Sequence, residues 1–88
     1  MTYVYSHHAR NRMRLYGITR EEIRDCAENP GWHEVEPVDR GVYHHTWVNA
    51  LQKVWKRRAG KYLYVLYTDE GDKRVIIATG PRNETTKE

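Results

Sequence analysis

His8 and Arg12 stand four residues apart in a stretch with helical spacing, which sets an imidazole one turn from a guanidinium on the same flank. Histidine titrates near neutral pH and can act as base or acid. An arginine beside it can hold an anion such as a phosphate. A second basic group follows later in the chain: Lys53, Lys56, Arg57 and Arg58. In a strand Lys56 and Arg58 share one face and Arg57 takes the other, so at most two of these three reach one site. Tyr62, Tyr64 and Tyr67 divide in the same way. Tyr62 and Tyr64 share a face, while Tyr67 joins Leu63 and Val65 on the other and is expected in the core. Tyr64 is then the tyrosine placed to stack on a base or supply a proton. His44 and His45 are adjacent, so a strand turns them to opposite faces and they do not readily chelate one ion. No metal or cofactor is expected.

Each of these residues also has a plain structural reading. The ring of His8 could cap its helix or bond a strand. Arg12 could pair with an acid of the following helix, at little gain in stability. The basic strand could be a solvated edge whose charge deters pairing with other chains.

Charge supports the chemical reading because it comes in blocks. Residues 1–20 hold Arg10, Arg12, Arg14 and Arg20 with no acid; residues 21–40 hold seven acids; residues 41–60 hold Lys53, Lys56, Arg57 and Arg58, again with no acid. The net charge of +3 conceals two basic segments, both interleaved with His, Tyr or Trp. Cations give affinity for a phosphate chain and aromatic rings give bases a stacking surface. On this pattern Arg10, Arg14, Lys53, Lys56, Arg57 and Arg58 are candidate nucleic-acid contacts.

The elements that must position these groups are legible from caps and periodicity. Thr2–Tyr5 suits a short edge strand. Ser6 is an N-cap for a helix over His7–Tyr16, closed by Gly17. Ala9, Met13 and Tyr16 share one face of it at i, i+4, i+7 spacing. Thr19-x-x-Glu22 is a capping box. It opens a second helix with Ile23, Cys26 and Ala27 inward and Glu21, Glu22, Asp25 and Glu28 outward. Asn29-Pro30-Gly31 ends it. The period then changes to two. Trp32–Val38, Val42–Val48, Val54–Arg58, Lys61–Thr68 and Arg74–Thr79 read as strands, and the two-sided apolarity of Lys61–Thr68 makes it interior. Asn49–Arg57 also fits helical spacing through Trp47, Leu51, Val54 and Trp55, but the Ala59-Gly60 turn favours a strand.

The fold expected is α+β, with two N-terminal helices on one face of a four- to five-stranded antiparallel sheet. Residues 1–81 form one domain and Arg82–Glu88 a frayed tail. With 88 residues and no Phe, Tyr and Trp must fill a small core. A lone cysteine, Cys26, forms no internal disulfide and suits a reducing cytoplasm. Neither a membrane-spanning run nor a signal-peptide core is present.

The opening Ser6-x-His8-Ala9-x-x-Arg12, then Tyr16-Gly17-Ile18-Thr19-x-Glu21-Glu22-Ile23, then Glu28-Asn29-Pro30, resembles a widespread family of small bacterial and phage proteins. Their later part is similar to Lys56-Arg57-x-x-Gly60-Lys61-Tyr62-Leu63-x-Val65-x-Tyr67 and Val75-Ile76-Ile77. The likeness spans roughly residues 6–80 and departs in Val42–Gln52. That family lies near the RelE and ParE toxins, whose fold is two helices against an antiparallel sheet. The resemblance implies an RNA endonuclease that works without metal, as RelE-type members do, or a protein without RNA cleavage, as ParE-type members are. His8 and Arg12 stand at the family's signature positions; with Tyr64, chosen from the pleat alone, they are the candidate catalytic residues. The partners the resemblance implies are RNA, at the ribosome or away from it, and an acidic antitoxin protein. A non-catalytic module that binds nucleic acid or protein is the alternative that composition leaves open.

Overall fold

A computed structural model describes residues 1–36 and 49–82. The expected strand Val42–Val48, the His44-His45 pair and residues 83–88 lie outside the described residues. The chain is α+β, with β1 (Thr2–Tyr5), α1 (His7–Tyr16), α2 (Arg20–Glu28), β2 (Trp32–Glu36), β3 (Leu51–Arg58), β4 (Lys61–Glu70) and β5 (Lys73–Arg82) in order.

Both helices start where the caps dictate. Ser6 Oγ accepts from the Ala9 amide at 3.0 Å, and Gly17, at φ 64°, closes α1 with its own N–H on Met13 O. Thr19 and Glu22 exchange both capping-box bonds at the start of α2. The segment Asn49–Arg57, which also fitted helical spacing, is strand from Leu51 onward.

The sheet is mixed, in the order β1-β5-β4-β3-β2. Strands β2 to β5 form the antiparallel meander, and β4 is interior as its apolarity required. The expectation of a wholly antiparallel sheet fails at β1, which runs parallel to β5 from Thr2 opposite Lys73 to Tyr5 opposite Ile76. A strand's own alternation carries no direction. Here direction is set by the helix that follows, because Ser6 ties the start of α1 to β5. The Ser6 amide donates to Ile76 O at 3.0 Å and its hydroxyl to Ile77 O at 2.8 Å.

Strand β5 also outruns its expected end at Thr79. It continues through Gly80 and Pro81 to Arg82, which pairs with Tyr62. A proline is tolerated there because β1 stops opposite Ile76 and leaves the far part of β5 without a second partner strand. Arg82 is therefore a sheet residue rather than the first of a tail.

The core lies between the helices and one sheet face. Ala9, Ile23, Cys26, Val54, Leu63, Val65, Tyr67 and Ile76 are buried there. Burial pushes the Cys26 thiol up to about 12, so it is a small core residue and not a nucleophile. Tyr16, the last of the three residues at i, i+4, i+7 spacing on one face of α1, is 40% exposed and accepts a bond from Arg12. Leu51, Leu66 and Ile77 form a second buried cluster on the other face, with Tyr64, Val75 and Ala78 against it.

The β3–β4 turn holds Ala59 at φ 49° and Gly60 at φ 81°, both in the left-handed region that a type I′ hairpin requires. Alanine adopts that region at a cost of about 1 kcal/mol, and Ala59 is exposed. Ala59→Asn is expected to recover most of it, raising the thermal midpoint by about 4–8 °C for a domain of this size. Calorimetry reads the change; an unchanged or lower midpoint contradicts this turn.

Candidate nucleic-acid interface

Strand pleating sorts the basic residues of β3 between two faces. Lys56 and Arg58 point with Val54 toward the helices. There Lys56 Nζ meets Asp25 Oδ2 at 2.5 Å. Arg58 holds Glu22 through Nε and donates to Gly17 O at 3.0 Å. These two cations complete the seam between β3 and α2. The outward acids of α2 are thus not all solvated.

The opposite face carries a different set. The register places Trp32 opposite Trp55, Trp55 opposite Tyr64 and Tyr64 opposite Gly80, so one row crosses four strands. The Trp55 and Tyr64 rings are 5.3 Å apart and tilted by 43°. Beside that row runs another, Arg57–Tyr62–Arg82. Arg57 lies 5.6 Å from the centre of the Tyr62 ring, and Arg82 4.7 Å from that of Tyr64. Arg82 Nη1 lies 3.5 Å from where a Cβ of residue 80 would stand, so its guanidinium extends over the glycine to reach Tyr64. Lys53, on this same face, is paired to Glu36 at 2.7 Å.

Helix α1 borders this face along the part of β5 that β1 leaves uncovered. A cleft of about 180 Å³ there is lined by His8, Arg12 and Tyr16 from α1, Tyr64 from β4, and Gly80 and Arg82 from β5, among others. Of the residues singled out in the sequence, it brings together His8, Arg12 and Tyr64. Arg12 donates to the Tyr16 hydroxyl at 3.2 Å and is not paired with the acids of α2. His8 is exposed, and no hydrogen bond fixes its ring among the described residues. Arg10 and Arg14 are exposed on α1 and do not line the cleft. Arg58 lines a neighbouring cleft of about 290 Å³ with Lys61 and Tyr62, and Tyr16 and Pro81 border both.

Arg82, Tyr16, Trp55 and Trp32 were not among the candidate site residues read from the sequence. The signal for Arg82 was the period of two running on through Ala78, Gly80 and Arg82, which Gly80-Pro81 masked as a stop.

A larger cleft of about 490 Å³ lies between β1 and α2, where Arg20 stands over Tyr5 and Arg24 over Tyr3. It holds no histidine. Among the described residues no group of three or more His, Cys, Asp or Glu could hold a metal ion, and no helix is long and apolar enough to cross a membrane. Comparison with protein-family models, curated proteins and solved structures finds no match for this chain.

The β3–α2 seam has a pH signature. The bond from Arg58, with that from the Thr19 amide, holds the Glu22 carboxyl below its ordinary range; Lys56 does the same for Asp25. The folded chain then takes up these protons less readily than the unfolded one. The stability they contribute is present above the ordinary carboxylate range and is lost as pH falls through their lowered values. Thermal stability should thus fall below about pH 4, and Glu22→Gln should flatten that decline while lowering the midpoint at neutral pH. An acid-side profile identical to the parent's contradicts the seam.

Proposed function

We propose that the chain is an RNA-binding protein of the RelE toxin type that cleaves RNA by attack of a ribose 2′-hydroxyl on the adjacent phosphate. The observation that supports this most is the meeting of His8, Arg12, Tyr64 and Arg82 around one cleft at the edge of an aromatic, basic sheet face. The parts match the needs of the reaction. His8 takes the 2′-hydroxyl proton. The oxygen then bonds to phosphorus, and the bond from phosphorus to the 5′ oxygen breaks. Arg12 and Arg82 hold the phosphate and its developing charge. Tyr64 donates a proton to the leaving 5′ oxygen, or stacks on the neighbouring base while that oxygen takes its proton from water, and the products are a 2′,3′-cyclic phosphate and a 5′-hydroxyl. The resemblance of the His8-Ala9-x-x-Arg12 signature supports the same assignment and suggests an acidic antitoxin and the ribosome as further partners.

One observation favours a second reading, a nucleic-acid-binding module without catalysis. A general base is commonly oriented by a further group, and among the described residues nothing bonds the His8 ring.

Incubation of the pure protein with single-stranded RNA and EDTA, with and without ribosomes, separates the two. Cleavage with cyclic-phosphate ends is expected. His8→Ala should slow it by ~10²–10⁴ while RNA affinity stays within a few fold. Full activity in folded His8→Ala reassigns the catalyst. Binding without cleavage under either condition leaves the module reading.

A further inference from the structure

Strand β1 pairs with β5 on one side, and among the described residues its other side is the open edge of the sheet. The pleat sorts its backbone groups. The Thr2 amide donates to Asp72 O at 2.9 Å and the Ser6 amide to Ile76 O at 3.0 Å. Thr2, Val4 and Ser6 thus face β5, and Tyr3 and Tyr5 turn their N–H and C=O groups outward. We propose that this edge takes an acidic extended segment of a partner protein as an added strand, with carboxylates at alternate positions meeting Arg20 and Arg24. None of these residues lines the cleft around His8, so the edge binds its partner whether or not RNA is cleaved.

The charge and the spacing select this partner. The cleft of about 490 Å³ is walled by β1 and α2. Arg20 and Arg24 are exposed and stand one turn apart on α2, 5.2 Å from the centre of the Tyr5 ring and 4.9 Å from that of Tyr3. A ring positions a guanidinium without neutralising it. Among the described residues neither arginine has a carboxylate at ion-pair distance, and Glu28 is taken by the Tyr3 hydroxyl at 3.0 Å. Glu21 is the one acid of the described lining, against two guanidiniums. The Tyr3 and Tyr5 rings pack on the helix side of the sheet, so residues of an added strand opposite them face the same way. Two residues along a strand advance ~6.7 Å, and four along a helix ~6 Å. Alternate side chains of the added strand therefore keep step with Arg20 and Arg24. The residue between them turns to the other face beside Val4, which is 39% exposed. The edge thus reads acid, apolar, acid. In strand addition the main-chain bonds give affinity and the alternate side chains give specificity. A phosphodiester chain satisfies the arginines but brings no regular donors to the Tyr3 and Tyr5 carbonyls.

The test uses the intact chain and labelled eight-residue peptides read by fluorescence anisotropy. One peptide alternates glutamate and valine. A second has glutamine for glutamate, and a third is the acidic peptide with every amide N-methylated, which keeps the charge and removes the donors. The acidic peptide is expected to bind, with the other two about tenfold weaker or more. Arg20→Gln with Arg24→Gln should cost about tenfold, as two exposed ion pairs are lost. Hydrogen exchange followed by NMR supplies the backbone readout. The Tyr3 and Tyr5 amides should exchange fast in the free chain and slow about tenfold or more under saturating acidic peptide. If the double variant fails to fold, the N-methylated peptide carries the test on the parent chain. No binding of the acidic peptide, equal binding of the glutamine or N-methylated peptide, or binding that leaves the Tyr3 and Tyr5 amides fast overturns the proposal. Protection of those amides in the free chain that grows with its concentration gives the edge to a second copy and also overturns it. So does affinity for single-stranded RNA that falls in the folded double variant while that for the acidic peptide does not.

Discussion

A β-strand can show only alternate side chains to one face, and β3 carries cations on both. Three consecutive basic residues, Lys56, Arg57 and Arg58, cannot act together. Lys56 and Arg58 turn to the helices, where Asp25 and Glu22 stand one turn apart on α2 and meet them. Arg57 turns away, beside Tyr62. The packing of α2, the depressed carboxyls at the seam and the composition of the opposite face all follow from this alternation. Surface ion pairs of this kind add little stability singly. Their consequence is positional: they hold α2 against β3 in one register and leave the far face to a different set of cations and rings.

The second constraint is the cap of α1. Ser6 bonds its own helix and, through its amide and hydroxyl, the carbonyls of Ile76 and Ile77. This fixes the first turn of α1 against β5 just where β1 ends. His8 follows two residues later and Arg12 one turn beyond, so the flank of α1 overlooks the far half of β5 and brings both residues to Tyr64 and Arg82. The cleft is therefore built by a helix on one side and two strands on the other, and its cations come from opposite ends of the chain. Arg74 ties the first half of β5 to β1 and β4. It holds Asp69 through two bonds, at 2.7 and 3.0 Å, donates to the Tyr3 hydroxyl and stands 4.4 Å from the centre of the Tyr67 ring.

What depends on local chemistry was legible in the sequence. Ser6, Gly17 and the Thr19–Glu22 box give the helix limits, because capping is settled within a few residues. Ile23, Cys26 and Ala27 give the buried stripe, and the two-sided apolarity of Lys61–Thr68 gives the interior strand. The split of Tyr62 and Tyr64 from Tyr67 follows from the pleat alone. Less legible was whatever depends on a distant partner. The direction of β1 is set by a cap that bonds residues seventy positions away. Gly80-Pro81 reads as a stop, and only the ending of β1 opposite Ile76 lets a proline stay in β5. Lys56 and Arg58 read as phosphate ligands until α2 supplies its carboxylates. The same limit explains the site: His8, Arg12 and Tyr64 were visible as chemistry, while Arg82 entered only once β5 had its true length.

On the proposed reading the two faces divide the cations: Lys56 and Arg58 serve the fold, and Arg12 and Arg82 the ligand. The salt dependence of single-stranded RNA binding tests it most directly, because each phosphate contact contributes ~0.7 to the slope of log affinity against log salt. Lys56→Ala with Arg58→Ala is expected to lower the unfolding midpoint and leave the slope as in the parent. Arg12→Ala with Arg82→Ala is expected to reduce the slope by up to ~1.4. The reverse pattern, with the slope following Lys56 and Arg58 and unmoved by Arg12 and Arg82, contradicts the account.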